Sequence, residues 1–155
     1  EIDRLFMRIM PAHPERAEPG AVDVNGFSVS LWRQRGYVSE AQAIDQWFDF
    51  HDRVVGSREV LFVAYNAWFD ISFVDQLFRK SGRTWRHLFH YFILDLPSMA
   101  WSQGIHGLTG QHLAHKLGIA VETRDPLEHT GITGAEFNVR AYQALISLAG
   151  MPPGK

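Results

Sequence analysis

A chain of 155 residues can form one domain with a substantial core, and 46% hydrophobic against 21% charged residues is an ordinary balance for a soluble globular protein. A formal net charge of −2 argues against a strongly basic protein that coats nucleic acid, though not against an enzyme that meets it locally through metal ions. No apolar run approaches the roughly 20 residues of a membrane-spanning helix, and the absence of cysteine removes disulfides and thiolate metal sites, favours a reducing compartment and makes a cytoplasmic location the expectation.

In chain order, Leu5-Phe6-Met7-Arg8-Ile9-Met10 is a short apolar run stopped by Pro11, and reads as a strand. Pro11 to Gly26 is rich in proline, glycine and charge, which predicts an ordered loop. Ser39-Glu40 opens a helix through Val55, with Ser39 as cap and Ala43, Ile44, Trp47, Phe48 and His51 along one face; Gly56 ends it. Glu59 to Tyr65 is the clearest strand, a continuous apolar run of the kind buried on both faces. The next helix runs from Asp70 to about Lys80, with Phe69, Phe73, Leu77 and Phe78 on its apolar face and Gly82 closing it. A second buried strand is expected at Phe89 to Leu94, followed by a short helix from Leu96 to about Trp101. Thr109 to Leu117 reads as a helix ended by Gly118. The last helix spans Thr133 to Ala149, with Phe137, Ala141, Ala144, Leu145 and Leu148 facing inward. Alternating strands and helices predict one α/β domain of two or three layers over residues 1–150, followed by a flexible tail, Met151 to Lys155.

Asn66 and Asp70 stand where a strand hands over to a helix. In open α/β sheets ligands gather at the carboxyl ends of strands, so both polar side chains would lie at that edge. A carboxylate there could hold Mg²⁺ or Mn²⁺, which prefer oxygen ligands. Equally, Asp70 could cap the helix or favour its positive N-terminus. His112 and His115 lie at helical i, i+3 spacing, and with no third ligand nearby they read as solvated or half-buried helix residues. Of the five tryptophans and eleven phenylalanines, most fall at core spacing, leaving Trp68 and Phe27 as candidate base contacts.

Tyr65-Asn66-Ala67-Trp68-Phe69-Asp70-Ile71-Ser72-Phe73 resembles the second motif of the DEDD 3′–5′ exonucleases, His-Asn-x-x-Phe-Asp-x-x-Phe, with Tyr65 in place of the histidine. That family includes the proofreading exonuclease subunit of bacterial DNA polymerase III. The resemblance implies an RNase H-like exonuclease fold, a mixed central sheet flanked by helices. It implies Asp70 as ligand to one of two catalytic ions, Mg²⁺ or Mn²⁺, with Asn66 beside the substrate strand. Pro19 to Phe27 resembles the loop Pro-x-Ala-x-x-x-His-Gly-Ile, which would put Asn25, Gly26 and Phe27 at the terminal nucleotide. Leu94-Asp95-Leu96 resembles the strand-ending aspartate ahead of a short helix, although an N-cap explains Asp95 as well, and Leu108 to Gly118 resembles the helix Leu-x-x-Leu-x-x-x-x-Gly. Glu128 to Glu136 resembles the third motif of the histidine subclass, His-x-x-x-x-Asp-Ala, with His129 as the implied general base. The implied reaction is hydrolysis of the terminal phosphodiester by two-metal-ion catalysis. The implied partners are a single-stranded or frayed 3′ end of DNA or RNA and a DNA polymerase, in proofreading or DNA repair.

Two departures qualify the resemblance. The first motif, Asp-x-Glu, is not matched by Glu1-Ile2-Asp3 or by any later stretch. Leu5 to Met10 resembles the family's third strand, so its first two strands would precede Glu1; with no initiator methionine, a missing N-terminal segment is the expectation. The position of the last metal-binding aspartate is Gly134, and Glu136 lies about 200° further around a helix, pointing elsewhere. Asp125 and Glu128 would reach the site only along an unusual loop path. The alternative is a catalytically decayed pseudo-exonuclease that serves as a nucleic-acid-binding or protein-interaction module.

Overall fold

A computed structural model describes residues 3–107 and 109–150; the expected tail lies outside the described residues, as do Glu1, Ile2 and Leu108. The elements are α1 (Pro19–Asn25), α2 (Val29–Arg35), α3 (Glu40–Val54), β1 (Phe62–Ala64), α4 (Ala67–Arg79), β2 (Ile93–Asp95), α5 (Leu96–Ser102), α6 (Gly110–Leu117) and α7 (Gly131–Leu148), with single 3-10 turns at Pro14–Arg16 and Trp85–His87. β1 and β2 pair in parallel, Phe62 with Ile93, Val63 with Leu94 and Ala64 with Asp95. α4 crosses between them, forming a βαβ unit, so the chain is of mixed α/β class.

Local chemistry explains the element boundaries. Ser39 accepts from the Gln42 amide while the Gln42 side chain accepts from the Ser39 amide, a reciprocal cap that starts α3. The face of α3 is the expected one: Ala43 and Ile44 are buried, Trp47 and Phe48 pack beside them, and half-buried His51 places Nε2 3.1 Å from the Leu88 carbonyl. Thr109 caps α6 and Thr130 caps α7, each accepting from a backbone amide three residues on.

Strand side chains alternate between two faces, and each face of the β pair is covered. The Phe62 ring meets Phe89, beside a cluster formed by Ile44, Val74, Phe78 and Leu88. Val63 packs on the other side, against Leu96, Ala100, Leu113, Phe137, Ala141 and Leu145 from α5, α6 and α7. Phe78 is wholly buried, which contributes roughly 2–3 kcal/mol of transfer free energy.

Several expectations are corrected. Leu5 to Met10 is no strand: only a single parallel bridge joins Ile9 to Val38, flanked by the Val38 amide donating to Arg8 and the Met10 amide donating to Val38. The stretch from Pro11 to Gly26 contains α1, in which Pro19 occupies the first turn and Gly26 follows the last; α2 was not expected at all. β1 is only three residues long, and Leu61 just before it is exposed. β2 begins at Ile93, leaving Tyr91 and Phe92 exposed. α4 starts three residues before Asp70 and buries Ala67, Ile71, Val74 and Phe78, while Phe69 and Phe73 face solvent with their rings 4.9 Å apart. In α7 the buried residues are Phe137, Ala141, Leu145 and Ile146, and Leu148 is exposed. Among the described residues, no helix is long and apolar enough to cross a membrane.

Candidate functional site

The parallel register ends β1 at Ala64 and β2 at Asp95, side by side. Asp95 then fastens this edge. One carboxylate oxygen accepts from the Ala67 amide at the start of α4 (3.1 Å), and the other accepts from the Ser98 amide (3.1 Å) and the Ser98 hydroxyl (2.6 Å) at the start of α5. Asp95 is therefore the cap that the sequence offered as one of its two readings, and it caps two helices.

Asn66 makes the turn from β1 into α4 with φ 58° and ψ 53°, the one described non-glycine residue at positive φ. Asparagine tolerates this left-handed conformation better than most residues, which gives a local reason for its presence. It is exposed, as is Trp68, two-thirds of whose surface is open at the same corner. Asp70 lies in the first turn of α4, half-buried. Burial pushes its carboxyl pKa above the usual value, offset in part by its own backbone amide. Burial, then the nearby Asp95 charge, likewise raises the pKa of the Tyr65 phenol.

α7 connects this edge to His129. The Asn138 side chain accepts from the Tyr65 amide (3.1 Å), and the Phe137 ring lies 6.2 Å from that of Tyr65. One turn earlier on α7 are Thr133 and Gly134, against which the loop from Glu122 to Thr130 is folded. Within that loop Asp125 accepts from the Leu127 amide and Glu128 from the Thr123 hydroxyl, so both carboxylates serve the loop itself. Half-buried His129 places Nδ1 3.1 Å from the Thr123 carbonyl and 3.4 Å from Glu122 Oε1. Glu136 is turned away, paired with Arg4 at 2.7 Å.

The candidate loop near residue 25 packs on this histidine loop. Gly26 has φ 62°, and a Cβ there would meet the Pro126 carbonyl oxygen at 2.6 Å, so the two backbones touch at a place only glycine permits. Asn25 Oδ1 accepts from the Phe27 amide, and the Phe27 ring packs edge-on to Trp32 at 4.7 Å. Residues 25–27 thus adjoin the His129 loop, while Asn66, Trp68 and Asp70 stand at the strand edge. His112 lies over Gly107 and His115 is exposed, as the sequence led us to expect of both.

Among the described residues, no three histidine, aspartate or glutamate side chains gather at metal-ligand spacing. Asp95 is hydrogen-bonded to the Ala67 and Ser98 amides and to the Ser98 hydroxyl, which leaves Asp70, among the described residues, as the other carboxylate at the strand edge. Such a lone, desolvated carboxylate suits a cation that takes its remaining ligands from water and phosphate, as Mg²⁺ commonly does. Sequence reasoning overlooked Glu122 and Asn138. Neither carried a spacing signal, because both are brought to the site by the path of the loop and by the placement of α7.

No protein-family model, curated protein or solved structure matches this chain.

Proposed function

We propose that the chain is a 3′–5′ exonuclease-like domain of RNase H-like fold, acting on the 3′ ends of DNA or RNA. The observation that carries this reading is the strand edge: two parallel strands end together, Asp95 ties their following helices, and a half-buried Asp70 stands beside exposed Asn66 and Trp68. In this reading Asp70 holds Mg²⁺ or Mn²⁺, which when bound supplies Lewis-acid stabilisation of the phosphodiester. Asn66 and Trp68 border the terminal nucleotides, Trp68 by stacking. Asn25, Gly26 and Phe27 flank the histidine loop, where His129 Nε2 takes the proton of the attacking water. A proofreading or repair role beside a DNA polymerase belongs to the same proposal. The complete protein, given Mn²⁺ and labelled single-stranded DNA or RNA, should release mononucleotides from the 3′ end. His129→Ala and Asp70→Asn should each slow release by about 10²-fold or more. Undigested oligonucleotides would sink the catalytic reading.

A second reading is favoured by one observation: the space at Gly134, where the resemblance calls for a further carboxylate, is bordered by Glu122 Oε1, 3.2 Å from where a Cβ would stand. Here the domain binds a single-stranded 3′ end without cleaving it. Its signature is oligonucleotide binding that Mn²⁺ does not change, and that Trp68→Ala weakens.

A further inference from the structure

We propose that Glu122 acts with the Thr123 carbonyl to position the His129 ring, and that Gly134 is the opening in α7 that admits its carboxylate. The catalytic consequence rests on the reading of His129 as a base; the geometry does not. His129 Nδ1 is hydrogen-bonded to the Thr123 carbonyl at 3.1 Å, and Glu122 Oε1 lies beside it at 3.4 Å, within ion-pair distance but without a hydrogen bond. A carbonyl oxygen can only accept, so Nδ1 carries the hydrogen, and the neutral ring keeps its lone pair on Nε2. The same Oε1 lies 3.2 Å from the Thr133 hydroxyl, whose single hydrogen it shares with the nearer Thr130 carbonyl at 2.8 Å, at the first turn of α7.

Gly134 completes the arrangement. Glycine weakens a helix, and a positive φ is not the reason for it here, since the described glycines at positive φ are others. The cap of α7 does not require it either, because Thr130 and Thr133 supply the capping pair. What position 134 does provide is room: a Cβ there would sit 3.2 Å from Glu122 Oε1 and 3.9 Å from its carboxyl carbon. A side chain at 134 would push the carboxylate, and so change its distance from the ring, by at least a few tenths of an ångström. The side chains of His129 and Glu122 are 30% and 26% exposed, so the pair is partly shielded from water while the ring stays accessible. A carboxylate beside the Nδ1–H of a histidine reinforces the tautomer and orientation that the Thr123 carbonyl favours, as second-layer acids do for functional histidines elsewhere.

The test combines long-range ¹H–¹⁵N spectra of ¹⁵N-histidine-labelled chain with oligonucleotide hydrolysis in Mn²⁺. Wild-type neutral His129 should show the Nδ1–H tautomer. Glu122→Ala should move it toward a mixture of tautomers and lower kcat about tenfold with KM unchanged. Glu122→Gln, which keeps an accepting oxygen, should retain most of both. Gly134→Ala should move the tautomer in the same direction from the other side, with its urea midpoint measured alongside, since alanine favours the helix while its Cβ crowds Glu122. If Glu122→Ala and Gly134→Ala both leave the Nδ1–H signature as in wild type, the Thr123 carbonyl alone sets the ring and the proposal is overturned. A tautomer shift with unchanged kcat overturns its catalytic part. Tautomer shifts in a complete protein that hydrolyses no oligonucleotide uphold the positioning and overturn the nuclease reading alone.

Discussion

Asp95→Ala removes the fastening of the strand edge, and its cost can be worked from the bonds it makes. Loss of the cap on Ser98 should cost about 1 kcal/mol, the usual value for replacing a helix-capping aspartate with alanine. The Ala67 amide is part-buried, and losing a charged acceptor there adds about 1.5–3 kcal/mol. Together these give about 2.5–4 kcal/mol, which for a domain of this size lowers Tm by roughly 5–15 °C. Urea denaturation followed by tryptophan fluorescence, with thermal melts alongside, measures both quantities. Asp95→Asn, which keeps one accepting oxygen, should recover part of the loss. Repeating the melts with Mn²⁺ separates the cap from a metal-ligand role: a cap predicts the same metal-induced increment in Tm for wild type and Asp95→Ala. A destabilisation below about 0.5 kcal/mol, the range of ordinary surface substitutions, would refute the bridging role. So would a metal increment that vanishes only in the variant.

Gly26→Ala forces a side chain into the left-handed region and against Pro126, so it should cost about 2 kcal/mol or more, whereas Gly118→Ala, in the same left-handed region (φ 64°) with open space around it, should cost only about 1 kcal/mol; equal urea midpoints for the two would refute the packing of this loop on the His129 loop. Asp70 has a folded pKa raised above its unfolded value, so its contribution to stability is fully present below the unfolded pKa and is lost as pH rises through the folded one. Asp70→Asn should therefore melt higher than wild type at pH 7, with the gap closing toward pH 4, and Mn²⁺ should raise the Tm of wild type but not of the variant. Trp68→Ala should change stability by no more than about 0.5 kcal/mol while weakening single-stranded oligonucleotide binding by about 1–3 kcal/mol, measured by fluorescence anisotropy; unaltered affinity would remove Trp68 from the interface.

What the sequence disclosed, and what it concealed, follows from how local each signal is. α3 was readable because its cap, its apolar face and its terminating glycine all lie within one helix length. α4 was misread because it carries two apolar stripes. Ala67, Ile71, Val74 and Phe78 form one, Phe69 and Phe73 belong to the other, and only the position of β1, β2 and α3 decides which is buried. Proline and glycine between Pro11 and Gly26 suggested a loop, yet Pro19 and Gly26 are the entry and exit of α1. Leu5 to Met10 looked like a strand from its own composition, but a strand needs a partner, and Val38 offers a single bridge. In the site, Asp95 was legible as a cap because Ser98 follows at the right spacing. Its second bond, to Ala67 across the sheet edge, depends on the register of β1 against β2.

The strand edge and the histidine loop are linked through α7. Residues 134 and 138 are one turn apart, about 6 Å along the axis, and share a face. From that face Asn138 holds the Tyr65 amide where β1 ends, while Gly134 and its neighbour Thr133 receive Glu122 behind His129. The helix is anchored below by Phe137, Ala141 and Leu145 in the core, and at its start by the Thr130–Thr133 cap. A displacement of α7 along its axis would therefore shift His129 relative to Asp70 without breaking either local structure. For this reason the relative placement of the two regions is a property of how α7 packs on β1, to which the Asn138 side chain contributes a direct hydrogen bond.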